Sequence, residues 1–444
     1  MQLKATNEPR PFHRPLLLSA AAALVATLGG VQPAWAGDKG GDSADDDGTR
    51  TKREEGSHYR KKAEEKDPLE DTATKRAGVE FAGYSDNDHI SVLTPSVHAG
   101  IENVSGASLN GSYLVDVVSA ASADIVSTAS RRWQEVRQAG SLSGQYKPHD
   151  FGVGVGGSVS SEPDYLSYGV YATVVKDFDS KNWTLDFGYG FSKDTAGRCG
   201  ADGACTPFAV FSRELQRGAF NAGISWVVDK ATLASVSTDL IIENGDQSKP
   251  YRYIPMFAPD VAPQVPNGAS IDSVNAHRLP ERPLEQLPLS RKRFALTGRY
   301  AHRLDDSTLR LEERVYGDSW GLYASTTDAR WIFDLGKRFA LWPHGRFHVQ
   351  SGTSFWEKAY VSNNANGDPA TWDLPLYRTG DRELGPLWTL EGGGGFKWYL
   401  GSDAEPRSWQ LGFSADAMYT SFTDDLYLLD RVGYLGALTL EVEF

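Results

Sequence analysis

The sequence predicts an all-β protein, a transmembrane, antiparallel, up-and-down β-barrel of about sixteen strands. Three observations carry this expectation. The closing stretch, Tyr434 to Phe444, reads YLGALTLEVEF and alternates with a period of two, placing Tyr434, Gly436, Leu438, Leu440, Val442 and Phe444 on one face and Leu435, Ala437, Thr439, Glu441 and Glu443 on the other. From Gly78 onward, glycine- and aromatic-rich segments are separated by turn residues. The long connections between those segments follow alternate strands only, as they do when all long loops share one rim.

The chain opens on Lys4, Arg10 and Arg14, a single apolar run from Leu16 to Val31, and Ala34-Trp35-Ala36. This is the pattern of a cleaved export signal ending after Ala36, residues 1–36. A membrane anchor is the alternative, but the run is shorter than the roughly 20 residues that a spanning helix needs. With 40% apolar residues and a negative mean hydropathy, a bundle of membrane helices is excluded. Residues 37–77 hold 12 acidic and 10 basic residues with Tyr59 as the one aromatic. They bury too little apolar surface to offset ordering entropy and read as a disordered, charged periplasmic tether. Residues 78–444 form the expected barrel and carry 32 basic against 45 acidic residues, an acidity that argues against nucleic acid.

Strands are expected near 78–86, 89–103, 110–118, 134–147, 150–161, 165–178, 182–193, 217–229, 231–244, 292–303, 308–318, 320–335, 339–352, 384–400, 407–421 and 431–444. Long connections then follow the seventh (195–216), ninth (245–291), thirteenth (353–383) and fifteenth (422–430). The ninth connection is proline-rich, so it cannot extend the wall and is expected to fold over or into the mouth. The seventh strand alternates Trp183, Leu185, Phe187, Tyr189 and Phe191 with Thr184, Asp186, Gly188, Gly190 and Ser192. One face suits lipid and the other water. A large soluble barrel would reverse them, and the export signal, the terminal phenylalanine and aromatics near strand ends decide for lipid. Trp320, Trp331, Trp388, Trp398 and Trp409 are expected in the interfacial girdles. Glu313 resists, since it falls on the lipid side; either it lies near an interface or the register slips there.

Cys199 and Cys205, in CGADGAC, are close in sequence and face an oxidising compartment after export, so a disulfide closing a surface loop is expected. Metal binding is the alternative, and two thiols without a nearby histidine fall short of a ligand set.

The closing strand, with its alternate apolar residues Tyr434, Leu438, Leu440, Val442 and a terminal Phe444, resembles the assembly signal of bacterial outer-membrane barrels; an ordinary half-exposed strand is the alternative. The motif V-S-x-A-S occurs at Val104–Ser108, Val118–Ser122 and Val126–Ser130, the last leading into STASRRWQEVR at Ser127 to Arg137. With these, EVRQAGSLSGQY, SSEPDYLSYGV and the closing strand, the chain from Gly78 to Phe444 resembles an uncharacterised family of Gram-negative outer-membrane barrels. The resemblance implies an outer-membrane location and transfers no catalytic or ligand residue. It also implies occurrence beside thioredoxin-like and flavin-handling proteins, which would suit a redox-linked assembly. The serine-rich repeats themselves suit a tight chain path against the wall, or a segment folded into the lumen, rather than a binding site.

No phosphate-binding loop, zinc-protease helix or calcium loop occurs, and no serine has nucleophile-elbow spacing, so no enzyme, metal or cofactor is expected. Gly392 to Gly395 reads as backbone crowding or curvature. His344 and His348 would lie too far apart on a strand face to share a metal. The polar face offers Arg299, Arg310, Arg314, Arg330, Arg346, His344 and His348 with Glu312, Asp328 and Asp334 on one wall. Asp186, Asp239, Glu243, Glu391, Asp416, Glu441 and Glu443 with Lys397 lie on the other. Segregated signs would create a transverse field, whereas mutual pairing would only brace the barrel. The expected function is a channel or transport-related pore for small polar solutes or ions; the alternative is a non-conducting barrel that anchors a periplasmic or surface complex. Lipid, the barrel-assembly machinery and a periplasmic protein are the expected partners.

Overall fold

The computed structural model describes residues 73–120, 133–199, 204–249, 252–363, 368–401 and 408–444. The export signal, the segment before Ala73 and the third V-S-x-A-S copy lie outside the described residues. Sixteen antiparallel strands close into one barrel. Its first half comprises β1 (Ala73–Asp86), β2 (Ile90–Asn103), β3 (Ala107–Ala120), β4 (Trp133–Tyr146), β5 (Phe151–Glu162), β6 (Tyr165–Phe178), β7 (Trp183–Ala196) and β8 (Arg213–Val227). β9 (Thr232–Gly245), β11 (Ser290–Arg303), β12 (Ser307–Asp318), β13 (Tyr323–Asp334), β14 (Phe339–Gln350), β16 (Leu387–Tyr399), β17 (Trp409–Phe422) and β18 (Asp430–Glu443) complete it. β10 (Met256–Phe257) and β15 (Tyr360–Val361) form a small parallel pair within two long connections.

All sixteen expected wall strands are present, in the expected order. The largest displacement is at the start, where β1 begins at Ala73 rather than Gly78. Lys75 and Phe444 exchange backbone hydrogen bonds, and Arg76 Nε lies 2.7 Å from Glu443 Oε2. The charges that made 73–77 resemble tether therefore belong to the seam, where β1 pairs with β18 from Arg76↔Glu443 to Asp86↔Gly433. Closure leaves no bare ladder edge, which a spanning sheet in lipid requires.

Loops sort by rim. The connections after β7, β9, β14 and β17 are long and share one rim, while both ends of the barrel wall lie at the other. The first V-S-x-A-S copy makes a short-rim turn between β2 and β3, where Asn103 Oδ1 accepts from Ser105 and Ala107 N–H groups. Gly106 there has φ 82°, and a Cβ would sit 2.1 Å from the Lys147 carbonyl oxygen. Val118, Ser119 and Ala120 of the second copy end β3, and its last two residues lie outside the described residues.

Period two sets the faces. Phe81, Leu142, Phe187, Leu390 and Leu438 project to the outside, and Trp331, Trp398 and Trp409 lie outward near the short-turn rim. Trp388 joins Phe347 and Tyr419 on the outer face nearer the long-loop rim. Trp320 is a correction: it is buried at the long-loop rim, donating to Ser290 O, stacking under Arg291 and packing on Phe355. Its place in the β12–β13 turn, rather than in a strand, takes it off the outer face. Glu313 causes no slip, since it pairs with Thr327 in unbroken register. It is exposed in mid-strand, and the Ser325 and Thr327 hydroxyls donate to its two oxygens at 2.5 Å each.

The long-rim connections build a cap. Ile254 and Met256 from the β9–β11 connection pack with Tyr360 and Trp372 from the β14–β16 connection. Phe257, Ala269 and Val274, the last on a short helix, α1 (Ile271–His277), pack with Leu426 of the β17–β18 connection. The prolines do keep the ninth connection out of the wall, and its packed apolar residues make a small core of their own.

Candidate functional site: the inner wall

Residues of the other parity face the barrel interior, where curvature brings side chains from alternate strands together. Arg314 of β12 bonds Asp239 of β9 at 2.9 Å, reaching across β11, where Thr297 Oγ1 accepts a second bond at 3.2 Å. His344 of β14 likewise reaches across β16 to Asp416 of β17, with Nδ1 2.8 Å from Oδ1. Contacts that skip a strand fit the concave side of a sheet. They place Arg314 and His344, and by parity the other expected residues, on the inner face.

Each expected residue has a definite setting. Arg299 bonds Glu312 at 2.5 Å, and Arg303 pairs with Asp334. Arg310 and Arg330 stand opposite one another in register, with Arg330 over the Trp342 ring. Arg346 is in register with Asp328 on one side and Glu391 on the other. His348 meets Thr326 and Gln350. His344 Nε2 lies 2.9 Å from Asp328 Oδ2, so its ring is flanked by carboxylates at both nitrogens. His344 and His348 make no common site, as the strand spacing required.

The segregation of signs on opposite walls is a correction. Asp239 and Glu243, assigned to the acidic wall, pair with Arg314, Arg217 and Arg293. Neighbouring strands supply opposite charges because an inner side chain reaches its lateral neighbours far more readily than the far wall.

Of one network of ion pairs on the inner wall, the polar-face residues read from the sequence include only Glu243. Asp194 (β7), Arg217 (β8), Glu243 (β9) and Arg293 (β11) form a chain near the long-loop rim; Arg217 Nε is 2.8 Å from Glu243 Oε1 and Arg217 Nη2 3.2 Å from Asp194 Oδ2. Arg137 and Asp116 make a second pair at 2.8 Å, with Thr94 donating to Asp116. The signal in sequence was present, since all fall on the period-two polar face close to expected strand ends.

The cap has its own hub. Asp381 is held by Lys249 and Arg252, and Thr379 donates to Glu285 at 2.6 Å. Burial pushes the Asp381 carboxyl up, but the two cations outweigh it and hold the group well below the usual carboxylate range. Burial also pushes the Tyr360 hydroxyl up to about 12. Arg382 reaches Asp88 in the β1–β2 turn and Arg431 reaches Glu383, tying the cap to the wall.

Cys199 and Cys205 are disulfide-bonded in the β7–β8 connection. Tyr434, Leu438, Leu440, Val442 and Phe444 share one parity at the seam, and Tyr434, Leu438 and Phe444 are well exposed.

No curated protein matches the sequence. Among solved structures, the siderophore receptor PirA from Acinetobacter baumannii aligns at 13% identity and a TM-score of 0.38, covering 78% of this chain and 53% of that one. This chain therefore spans about half that receptor's length. A structure described as the CymD monoaromatic hydrocarbon channel aligns at 8% identity and TM-score 0.38, covering 84% and 88% of the two chains. Pseudomonas aeruginosa OccK2 (OpdF), in complex with glucuronate, aligns at 9% and 0.38, covering 84% and 98%. Likenesses this distant carry nothing about register or ligand. The family's sequence profile, by contrast, matches residues 17–438, and the chain belongs to that family, DUF3570, described as proteins of unknown function.

Proposed function

We propose that the protein is an outer-membrane barrel acting as a transport-related pore for small polar solutes or ions. The observation that carries this reading is the sorting of side chains on a closed sixteen-strand wall, with apolar residues outward and ionised residues inward. Such an outer face is stable only in lipid, and such an inner face only against water or its own ion pairs. The reading includes export with cleavage after Ala36, insertion by the barrel-assembly machinery through the closing strand, and a periplasmic protein meeting the charged N-terminal segment. Planar-bilayer recording on the refolded protein tests it: discrete, salt-dependent conductance steps are expected, and a silent but inserted barrel would overturn it.

The cap favours a second reading. Three connections that pack into cores of their own and pair with the wall suit a non-conducting anchor for a periplasmic or surface complex, a redox-linked one included, as well as they suit a gate. An inserted, silent barrel that co-purifies with a periplasmic protein from its native envelope would support it.

A further inference from the structure

We infer that His344, Glu391 and Asp416 bind a single divalent transition-metal ion on the inner wall. The three come from adjacent strands, β14, β16 and β17, and their ligand atoms lie within 4.8 Å of one another. An imidazole nitrogen with two carboxylate oxygens is a donor set for zinc, iron or manganese class ions rather than for magnesium or calcium.

Two features of the wall point to a cation at this spot. First, His344 Nε2 is 2.9 Å from Asp328 Oδ2. With Nε2–H donated to Asp328, the Nδ1 lone pair is aimed at Asp416 Oδ1, 2.8 Å away. Two lone-pair atoms that close need a positive centre between them, either a proton or a metal ion. A carboxylate accepting from the far nitrogen of a metal-binding histidine is also the usual device for fixing that ring. A metal about 2.0–2.2 Å from each donor would hold nitrogen and oxygen about 3 Å apart, so little movement separates the two occupants.

Second, the contact spans β16 only because position 393 is glycine. His344 is in register with Gly393, and Gly393 with Asp416. A Cβ there would lie 2.5 Å from Asp416 Oδ1 and 2.1 Å from the Ala415 carbonyl oxygen. The charge is suited as well. Asp328, Glu391 and Asp416 supply three carboxylates against two facing guanidinium groups, Arg346 in register with Asp328 and Glu391 and Arg330 in register with His344, so the acidic groups are in excess.

Binding in detergent does not depend on whether the lumen conducts, so failure of this site and failure of the pore reading are separable. The untagged, refolded, chelator-treated barrel would be titrated with Co²⁺, read by its visible d–d absorption, and then with Zn²⁺ in competition. One saturable Co²⁺ site per barrel, displaced by Zn²⁺, is expected. His344→Ala and Asp416→Asn should each weaken it by more than about tenfold, and Asp328→Asn, which leaves the donors in place, by about tenfold or more. His149→Ala, in the β4–β5 turn, should change nothing. Glu391→Gln serves as the second ligand variant should either of the first two fail to give heat-modifiable, folded barrel. Absence of saturable binding to the parent, or binding that survives loss of His344 or Glu391 in a folded barrel, would overturn the inference.

Discussion

Arg217 of β8 and Glu243 of β9 face one another across adjacent strands with Nε and Oε1 2.8 Å apart, and neither side chain is open to solvent. Glu243 also holds Arg293, so it is the single anion between two guanidinium groups.

Neutralising that anion takes the carboxylate away from the half-buried Arg293 and leaves the buried Arg217 with Asp194 alone. Glu243→Gln should destabilise the refolded barrel by about 3–5 kcal/mol, the range for breaking a buried pair from one side. Urea unfolding followed by tyrosine and tryptophan fluorescence measures it. A loss under about 1 kcal/mol would mean that water reaches the network freely.

The cap should resist acid. Asp381 has a folded pKa far below its unfolded value, so its contribution is present above the unfolded carboxylate range and is lost only as pH falls through the folded value. Protease sensitivity of the β9–β11 connection should therefore stay constant from neutral pH into the mildly acidic range. Asp381→Asn should raise cleavage there at every pH, because Lys249 and Arg252 lose their anion. Cleavage in the parent should avoid the buried Ile254–Phe257 core and fall in exposed stretches such as Pro259 and Asp260.

If the lumen conducts, the Arg310 and Arg330 pair is the place to alter selectivity, since two cations stand opposite one another on adjacent strands of the inner face. Replacing both Arg310 and Arg330 with Gln should move the reversal potential in a salt gradient toward stronger cation preference. An unmoved potential would place these residues off the conduction path.

Removing Phe444 should lower the yield of heat-modifiable barrel in the outer membrane. The deletion removes both backbone hydrogen bonds between Phe444 and Lys75 at the seam, together with the exposed terminal ring. Unchanged insertion would show that the seam closes without them.

Reducing the Cys199–Cys205 disulfide should leave the barrel folded. The bridge closes a segment of sequence separation 6, and loop-closure entropy for so short a segment is worth at most about 2 kcal/mol. Global unfolding on addition of reductant would contradict this.

Strand number, order and the long-loop rim were legible in the chain alone, because side-chain alternation, turn residues and loop length are local and period two survives in any register. The same alternation placed Arg299, His344 and Asp416 on the polar face. Start of β1 at Ala73 was not legible, since Lys75 and Arg76 look like tether until Phe444 and Glu443 are seen beside them. Nor could the sequence say that Asp239 meets Arg314 rather than facing it from an opposite wall, or that Gly393 opens the path from His344 to Asp416. Those relations depend on which residues of neighbouring strands lie level and on the curvature that brings alternate strands together. Both are fixed only when the sheet closes on itself.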